Sequence, residues 1–444
     1  MKINAQLPEE VIRITGMLES AGYEAYLVGG CVRDILLGRG PSDYDITTDA
    51  VPDEVERIFC DFKTVTVGKE HGTVGVAMHG KLYEITTYRV DGKYEDHRRP
   101  DEVSFTRSLE EDLKRRDFTV NAIAMDAAGN VVDKVGGVAD LKAKRLRTVG
   151  AARERFSEDA LRIMRGIRFE AALGFDLDEE AVKAANELAP DLGRISVERI
   201  RVEFDKMLVS PGAGKALRKY RDIIATVIPE IREMFDFDQH NPYHDYDVYE
   251  HSVIAVENVP ADITLRLAAL FHDIGKPSCF VVKDGWGHFY GHERRSAEIA
   301  KVIMRRLKYD RKTTEAVTDL ISKHGTIFTL DERYAARKIA RIGEDTLYGL
   351  IALERADVSA QAEWVRQERI DYIDRFEGII DDVIARESCF KIKDLEINGR
   401  DLIDIGFSQG PGIGMALNAL FERALSGELK NDREVLLAEA KKFL

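Results

Sequence analysis

The spacing of hydrophobic positions changes near residue 148. Before it, a helical pattern over Glu9–Ser20 precedes short segments in which apolar and polar residues alternate: AYLVGG, DYDITT, TVTVG, TVGVAMHG and KLYEITTYR. Alternation with a period of two predicts strands, and the tight HGK connection between the last two segments predicts a hairpin. The first part of the chain is therefore predicted to be mixed α/β.

Beyond this point, apolar positions recur with the period of amphipathic helices. The patterns predict helices over Ser157–Leu173, Glu179–Leu188 and Val197–Leu208, and a second helical unit over roughly 240–375. A shorter tail with the Gly/Pro-rich segment GFSQGPGIG follows. Residues 89–102, RVDGKYEDHRRPDE, carry no apolar periodicity and predict a mobile polar loop.

Composition narrows the class of protein. Hydrophobic residues make up 44% and charged residues 32% of the chain, as in globular proteins with sizeable cores. No apolar run approaches the ~18–20 residues of a membrane span, and MKINAQLPEEVIRI lacks the regions of a signal peptide. The four cysteines lie far apart without a CxxC motif, so we expect no disulfide framework. These features predict a cytoplasmic protein without membrane association.

The charge balance bears on nucleic-acid binding. Lys and Arg number 65 and Asp and Glu 79, a formal charge of −14, which argues against a general nucleic-acid coat. Between Lys142 and Arg168, however, the chain has nine basic residues and only three acidic ones. Further basic clusters lie at 97–99 and 114–116. Phosphates are bound by such local positive potential. Ordinary solvated helix faces are the alternative interpretation.

The segment LVGGCVRDILLGRGPSDYDITT combines a glycine pair with paired carboxylates. At Gly30 and its neighbour the missing Cβ lets backbone N–H groups approach a phosphate, and Arg33 can bind the same triphosphate bidentately. Asp43 and Asp45 are two residues apart in a strand pattern, so they point to one face and suit Mg²⁺. Metal there would activate a 3′-hydroxyl and neutralise the leaving pyrophosphate. A structural turn and an exposed acidic strand edge are the alternatives, and Glu84 is a third carboxylate or merely exposed.

Two further segments carry arginines beside carboxylates. RRDFTVNA, with Arg116, offers phosphate donors and an acceptor for a ribose hydroxyl, or else a helix-end salt-bridge cluster. In EDALRIMRGIRF, Asp159 and Arg162 are neighbours at i, i+3 on a predicted helix, and an acceptor beside a planar donor can match the edge of a base. Each step of three residues, from Arg162 to Arg165 and on to Arg168, falls ~60° short of a full helical turn, so these side chains cannot all contact one base. We therefore assign Arg165 and Arg168 to phosphate or primer contacts. Ion-pair support of a surface helix is the alternative.

A second constellation follows in the helical part. His272 and Asp273 are adjacent in LFHDIGKP, and His251 precedes them in the segment YEHSVIAVENV. Neutral imidazoles with a carboxylate suit a transition metal better than Mg²⁺. Single histidines are usually structural, but most of the histidines of this chain are concentrated in one region: His240, His244, His251, His272, His288, His292 and His324.

The chain up to roughly position 230 resembles the class II CCA-adding enzyme and poly(A) polymerase family of polymerase-β-like nucleotidyltransferases. LVGGCVRD…SDYDITT resembles motif A of that family, RRDFTVNA motif B and EDALRIMRGIRF motif D, in family order and spacing. The resemblance implies addition of C, C and A to the tRNA 3′ end from CTP and ATP, with Mg²⁺ and release of pyrophosphate. It implies the following roles: metal at Asp43 and Asp45, triphosphate at Gly30 and Arg33, nucleotide at Arg116, an amino-acid template of Asp159 and Arg162, and further nucleotide contacts at Arg165 and Arg168.

Residues 236–375 resemble the HD phosphohydrolase superfamily, whose pattern is H…HD…D on helices. Its implied metal ligands here are His251, His272, Asp273 and Asp357, and two further histidines, His292 and His324, match on the way to Asp357. The implication is a phosphomonoesterase or 2′,3′-cyclic phosphodiesterase with a second divalent metal.

These resemblances imply four domains: a polymerase-β-like α/β head with a mixed sheet (1–147), a helical neck that binds RNA and nucleotide (148–235), an HD metal-binding domain (236–375) and a helical tail (376–444). The long loop at 89–102 favours complete CCA addition. Three alternatives stay open: a CC-adding enzyme, a poly(A) polymerase, and an HD phosphohydrolase whose front half only holds RNA.

Overall fold

The computed structural model describes residues 1–91, 103–386 and 390–444. It divides into two compact units, Met1–Pro229 and Glu230–Leu444. The predicted polar loop lies almost entirely outside the described residues, and the finer division into four domains stays a prediction. Within the described part of the chain, no helix is both long and apolar enough to cross a membrane.

The first unit, called unit 1 below, begins with a head built on one sheet and continues with helices. Its strands are β1 (Ala25–Val28), β2 (Asp45–Thr48), β3 (Lys63–Val65), β4 (Thr73–Met78), β5 (Lys81–Thr87), β6 (Arg89–Asp91), β7 (Val103–Phe105), β8 (Ile123–Met125), β9 (Val131–Asp133), β10 (Arg145–Leu146) and β11 (Asp176–Leu177). Its helices are α1 (Glu9–Ser20), α2 (Gly30–Leu36), α3 (Pro52–Ile58), α4 (Leu109–Lys114), α5 (Gly137–Lys142), α6 (Ala152–Glu158), α7 (Leu161–Leu173), α8 (Glu179–Leu188), α9 (Val197–Leu208), α10 (Ala213–Lys219) and α11 (Arg221–Val227). Short 3₁₀ turns lie at Lys69–His71, Thr119–Asn121, Ala189–Arg194 and, across the boundary of the units, Pro229–Met234.

The head sheet has the strand order β3-β4-β5-β2-β1-β8-β9. β2 and β5 run parallel, and the other neighbouring strands are antiparallel. The predicted hairpin joins β4 to β5 through His79 and Gly80, whose φ angles are 49° and 79°. Two consecutive positive φ angles are the signature of the tight turn that fits the twist of paired strands. The predicted mixed-sheet head, followed by mainly helical structure, is confirmed.

The predicted helix Ser157–Leu173 is wrong in one respect, because the chain leaves the helix at Asp159. That residue is extended, with φ −142° and ψ 103°, and it separates α6 from α7. Its carboxylate accepts a hydrogen bond from the backbone N–H of Leu161 at 3.0 Å. Short acidic side chains compete for free backbone donors in this way, which favours them at helix starts over helix interiors.

A buried carboxylate on α7 joins it to the following helices. Glu170 is 2% exposed and accepts hydrogen bonds from Lys219 Nζ at 2.9 Å, Tyr220 Oη at 2.6 Å and the Leu177 N–H at 3.0 Å. Burial and the bond to Glu170 raise the pKa of Tyr220 well above its usual range. The network therefore stabilises unit 1 through charge-assisted hydrogen bonds in a dry environment.

Replacing Glu170 with Ala should lower the free energy of unfolding of unit 1 by about 2–5 kcal/mol, because the buried Tyr220 hydroxyl and the Leu177 N–H lose their hydrogen-bond acceptor. Urea denaturation followed by far-ultraviolet circular dichroism measures this change. Tryptophan fluorescence is an internal control, since Trp286 and Trp364, the two tryptophans of the chain, lie in the second unit. Glu180→Ala, at an exposed site on α8, should shift stability by less than about 0.5 kcal/mol. Equal effects of the two variants would contradict the structural role of Glu170.

The second unit, unit 2, is mainly helical. Its helices are α12 (Val248–Asn258), α13 (Ile263–Phe271), α14 (Lys276–Cys279), α15 (His292–Arg306), α16 (Arg311–Lys323), α17 (Glu332–Ile342), α18 (Glu344–Ser359), α19 (Glu363–Ala385), α20 (Gly399–Asp404), α21 (Pro411–Leu425) and α22 (Arg433–Ala440). A hairpin of β12 (Val281–Lys283) and β13 (Trp286–His288) precedes α15, and 3₁₀ turns lie at Ile392–Asp394 and Lys441–Phe443.

One core of unit 2 extends from the segment before α17 to α22. At its centre the rings of Phe328 and Phe376 stack with centroids 4.5 Å apart. Earlier in the unit, α12 packs against both α13 and α18. This packing brings residues that are far apart in the sequence into one place.

Candidate active site and metal centre

Three segments of unit 1 converge at the turn between β1 and α2. Gly29 has φ +81° and ψ −135°, a conformation that favours glycine because other residues are strained there. A Cβ at this position would lie 3.5 Å from Arg116 Nη1 and 3.7 Å from Asp45 Oδ2. The turn, the end of α4 and the start of β2 therefore border one site, with Gly30 as the first residue of α2.

The predicted carboxylate pair is only partly on a strand. β2 begins at Asp45, so Asp43 lies in the loop before it, which corrects the prediction that both belong to β2. Glu84 on β5 is the direct neighbour of Asp45 in the parallel pairing. Partial loss of hydration and the like charges of Asp43 and Glu84 raise the pKa of Asp45, and Arg116 opposes them.

Asp43, Asp45 and Glu84 are exposed. In the described residues, their oxygens do not form a cluster of ligand atoms all within 4.8 Å of one another, as the histidines and aspartates of unit 2 do. Like-charged oxygens repel, so a cation is what would draw them closer. Hard carboxylate oxygens on an accessible face fit a divalent ion that keeps waters and takes further ligands from a substrate phosphate.

The predicted arginines are held in place by neighbouring polar groups. Arg33 donates to both oxygens of Asp34 at 2.9 Å and to Asn121 Oδ1 at 2.8 Å. Arg116 Nη2 donates at 3.0 Å to Asp112, a residue that is 0% exposed. The Nε group of Arg116 is buried without a hydrogen-bond partner. The arrangement leaves donors aimed at the site while fixing each side chain.

The next two arginines lie on α7 and pair with other elements. Arg165 Nε donates to Asp117 Oδ2 at 2.7 Å, and its charge helps to hold the pKa of that buried carboxyl below its usual value against the effect of burial. Arg168 Nε lies 2.5 Å from Glu203 Oε2 on α9 as an ion pair that lacks hydrogen-bond alignment. Both guanidinium groups are thus positioned by carboxylates from outside α7.

Phe169 gives three of these arginines a common contact. The guanidinium carbon of Arg168 lies 4.0 Å from the ring centroid, that of Arg165 5.4 Å and that of Arg33 5.6 Å. Cations within about 6 Å of an aromatic face are attracted to it. The ring therefore allows three guanidinium groups, each paired with a carboxylate, to approach one another.

The proposed base-reading pair has partners that the sequence did not indicate. The second carboxylate oxygen of Asp159 accepts from Arg199 Nη2 on α9 at 2.8 Å. Arg162 donates to Glu158 at 2.5 Å and to the carbonyl oxygen of Arg155 at 3.0 Å. Asp159 precedes α7 and Arg162 lies in its first turn, so the prediction that both residues are neighbours at i, i+3 on one helix is wrong.

Unit 2 holds a compact group of histidines and aspartates. His251, His272, Asp273 and Asp357 each offer one ligand atom, and these atoms all lie within 4.8 Å of one another. His251 Nε2 is 2.7 Å from Asp357 Oδ1 and 3.4 Å from Asp273 Oδ2. His272 Nε2 is 3.2 Å from the same Asp273 oxygen. The structure thus brings together all four residues of the predicted metal site.

Asp273 also belongs to a second group. Its other oxygen, Oδ1, lies 3.3 Å from His292 Nε2 and 3.6 Å from His324 Nε2. The two histidine nitrogens are 3.1 Å apart. Asp273 is therefore placed to bridge two ligand groups, one on each carboxylate oxygen.

The four histidines share one orientation. In each, Nδ1 lies within hydrogen-bond distance of a backbone carbonyl, which only accepts, so Nδ1 carries the proton and Nε2 of the neutral ring is free to bind metal. The pairs are His251 with Ala360 at 3.2 Å, His272 with Ala269 at 2.8 Å, His292 with Phe289 at 2.8 Å and His324 with Ile321 at 2.5 Å.

The buried polar atoms of this centre favour the binding of cations. His272 Nε2 and Asp273 Oδ2 are buried without a partner in hydrogen-bonding geometry. Burial opposes protonation of His272, but Asp273 and Asp357 outweigh it and raise the pKa to about 10. Lys276 Nζ lies 2.7 Å from Asp273. Imidazole nitrogens together with carboxylates fit divalent transition-metal ions.

Known proteins share parts of this chain. Residues 25–147 match the family "Poly A polymerase head domain", and residues 174–234 match "Probable RNA and SrmB-binding site of polymerase A". Residues 283–440 match "tRNA nucleotidyltransferase domain 2". The CCA-adding enzyme of Leuconostoc mesenteroides is 36% identical over 454 aligned residues, covering 100% of this chain and 99% of that protein. The chain belongs to the CCA-adding enzyme family.

Solved structures agree with this membership. The Bacillus stearothermophilus CCA-adding enzyme in complex with CTP is 32% identical, covers 98% of both chains and superposes with a TM-score of 0.71. The Thermotoga maritima CCA-adding enzyme complexed with tRNA is 21% identical, with a TM-score of 0.60 over 99% of this chain and 96% of that one, and shares the fold. The predicted family resemblance is confirmed, and members of this family are nucleotidyltransferases that use divalent metal. The predicted HD superfamily membership stays a prediction.

Sequence reasoning did not find several residues of the nucleotidyltransferase site. Asp112 lies three residues before the arginine pair, and this proximity was the available signal. Arg199 and Glu203 lie on α9, far along the chain from their partners, and an Arg or Glu on an amphipathic helix carries no mark of such pairing. Phe169 looks like any core aromatic until the packing of α7 is known.

Proposed function

We propose that the chain adds C, C and A to the 3′ end of tRNA, from CTP and ATP, without a nucleic-acid template. The convergence of Asp45, Gly29 and Arg116 at one turn supports this function most directly. Relatives similar over the whole chain are CCA-adding enzymes, which favours this product over poly(A) or CC alone. The compartment proposed for this reaction is the cytoplasm.

The side chains of the site would have separate roles in binding the nucleotide and the metal ion. Gly30, Arg33 and Arg116 would bind and orient the nucleotide triphosphate, while Asp43 and Asp45 would hold Mg²⁺ as the divalent ion. When bound, Mg²⁺ lowers the pKa of the tRNA 3′-hydroxyl and neutralises charge on the phosphates. The hydroxyl oxygen attacks the α-phosphorus, the bond to the β-phosphate breaks and pyrophosphate leaves.

Base selection is proposed for the start of α7. C and A both carry an amino group on the pairing edge, from which Asp159 can accept a hydrogen bond. Both also carry a ring nitrogen acceptor, to which Arg162 can donate. U and G carry a carbonyl at the corresponding position and would repel the carboxylate. Arg165 and Arg168 would contact the phosphates or the primer end.

An incorporation assay tests the main proposal. The protein is incubated with tRNA that lacks CCA, Mg²⁺ and labelled CTP, ATP, UTP or GTP, and the products are separated at single-nucleotide resolution. We expect two C and one A to be added in order, with little U or G. Long A tails, products that stop after CC, or no incorporation would each overturn it.

Asp159→Asn should weaken nucleotide selection. The amide oxygen can still accept from the Leu161 N–H. The amide NH₂ group, however, is a donor and cannot accept a hydrogen bond from the amino group of the base. We expect kcat/KM for CMP addition to fall about 10–100-fold, since one good base contact supplies about 1–3 kcal/mol of discrimination. Single-turnover incorporation measures this effect.

Asp178→Asn is the matched control, because Asp178 accepts from the Ala181 N–H at the start of α8 in the same way. It should leave CMP addition unchanged. A similar loss in both variants would assign Asp159 a role in helix stability alone.

A second activity is proposed for unit 2: metal-dependent hydrolysis of phosphate esters. The bridging position of Asp273 between two histidine groups supports it. His251, His272 and Asp357 would hold one transition-metal ion, His292 and His324 a second, and Asp273 both. Two such ions, when bound, polarise a phosphate and lower the pKa of the attacking water.

A further inference from the structure

Arg199 on α9 binds the carboxylate of Asp159 from outside α7. Its Nη2 group donates to Asp159 Oδ2 at 2.8 Å, while the Leu161 N–H donates to Oδ1 at 3.0 Å. Two hydrogen bonds, one to each oxygen, fix the plane in which the carboxylate lies. A carboxylate offers about four acceptor positions, so each oxygen can still accept a hydrogen bond from a base.

The stability of α9 does not explain an arginine at this position. Arg199 lies in the first turn of α9, where the positive end of the helix disfavours a cation. Its Nη1 group is buried without a hydrogen-bond partner in the described residues, which costs free energy. A residue that is unfavourable for its own helix, yet binds a carboxylate of the site, indicates a role in function.

The nearest opposite charge gives Asp159 a competing partner. The Arg162 N–H donates to the carbonyl oxygen of Asp159 at 3.0 Å, so the two residues lie one turn apart and their charged side chains attract each other. If these side chains paired, neither would be available to a base. In the structure, each is bound by a partner from outside the pair. Arg162 donates to Glu158 Oε2 at 2.5 Å, and Asp159 accepts from Arg199.

Glu203 connects the same face of α9 to α7. It lies four residues after Arg199, so both side chains project from one face of the helix. Its Oε2 atom lies 2.5 Å from Arg168 Nε, and its Oε1 atom lies 3.6 Å from Arg165 Nη1. These ion pairs hold α9 against α7. The packing of the two helices therefore determines where the Arg199 guanidinium meets Asp159.

We propose that Arg199 is a specificity-determining residue of the nucleotidyltransferase and that it acts through Asp159. The proposal rests on the base selection proposed above for the start of α7. Arg199 is a positioning residue: it keeps the Asp159 carboxylate away from Arg162 and directed toward the base. The carboxylate then accepts from the amino group of C or A and repels the carbonyl oxygen of U or G.

Nucleotide selectivity measures this role. The quantity is the ratio of kcat/KM for CTP to kcat/KM for UTP, in single-turnover addition to tRNA that lacks CCA. Arg199→Gln should lower this ratio about tenfold, because a base contact that discriminates by about 10–100-fold loses its alignment. Arg199→Lys keeps one charged donor and should lower the ratio by less than about threefold. An unchanged ratio in Arg199→Gln would overturn the proposal.

A double-mutant cycle separates positioning from a purely structural role. In an Asp159→Ala background, Arg199→Gln should change the ratio by less than about twofold, because the group that Arg199 positions is absent. Effects of the two substitutions that multiply in the double variant would overturn action through Asp159. Equal losses of CMP and UMP addition in Arg199→Gln, together with a lower free energy of unfolding, would show a structural role alone.

Arg194→Gln is the matched control. Arg194 lies just before α9, and its half-exposed guanidinium is 3.5 Å from Asp191. The substitution removes a positive charge from the same region, and the ratio should change by less than about twofold, since exposed ion pairs contribute little. An equal loss in both variants would attribute the effect to charge alone and overturn the proposal. Absence of CMP addition by the unaltered protein would reject the proposed function itself, whereas full selectivity in Arg199→Gln rejects only the role of Arg199.

Discussion

Asp45→Asn is expected to reduce CMP incorporation into tRNA by about 1,000-fold or more, while the free energy of unfolding stays nearly unchanged. A divalent ion stabilises the transition state of such transfers by several kcal/mol, and each ~1.4 kcal/mol corresponds to a factor of ten. The amide keeps the shape of the side chain but lacks the charge that holds the ion. Stability should not suffer, because Asp45 is exposed and lies between the like charges of Asp43 and Glu84.

Single-turnover incorporation of labelled CMP, together with urea denaturation, measures both quantities. Asp53→Asn serves as the control, because this α3 residue has a carboxylate paired with Lys69 on the surface of the same head. It should retain nearly full activity. Transfer by Asp45→Asn within tenfold of the unaltered protein would remove Asp45 from the metal site.

Asp273→Asn is expected to abolish metal binding in unit 2. The structure places one oxygen of Asp273 toward each histidine group, so the substitution removes the shared negative charge from both positions. We expect the content of transition metal to fall from two ions per chain to none, and phosphate release to cease. Nucleotide incorporation by unit 1 should persist. Metal analysis after gel filtration measures the loss.

His292→Gln keeps this prediction testable if Asp273→Asn fails to fold. His292 belongs only to the second ligand group, so this variant should lose one ion and retain the other. His240→Gln is the control, since the His240 side chain is 57% exposed and belongs to neither group. Retention of two ions by His292→Gln would show that the groups do not act as separate sites.

Local patterns in the sequence determined many elements of the fold. The bounds of α1, α8 and α9 agree with the helical periods, because each helix buries one apolar stripe. Asp178 and Ser196 also lie at the N-caps of α8 and α9, where such residues are favoured. The β4–β5 hairpin follows from alternation on both sides of His79 and Gly80. The residue types of the nucleotidyltransferase motifs were also readable, since their chemistry is packed into short segments.

Tertiary packing decided what those segments contact. The break at Asp159 depends on a competition between a helix interior and a local cap, which a periodic pattern cannot resolve. Its partner Arg199 lies on α9, 40 residues away. Amphipathic helices predict only which face is buried and leave open which helix packs against that face. Hence the packing of three guanidinium groups around Phe169 could not be predicted from the sequence.

The same distinction holds for the metal centre, where the sequence alone supplied the ligand set. His251, His272 and Asp273 were found from the residue types and their order along the chain, and Asp357 from the resemblance to the HD pattern. Only the structure places Asp273 between two histidine groups. This placement depends on contacts between residues far apart in the sequence, such as His251 with Asp357, and packing of separate helices determines such contacts.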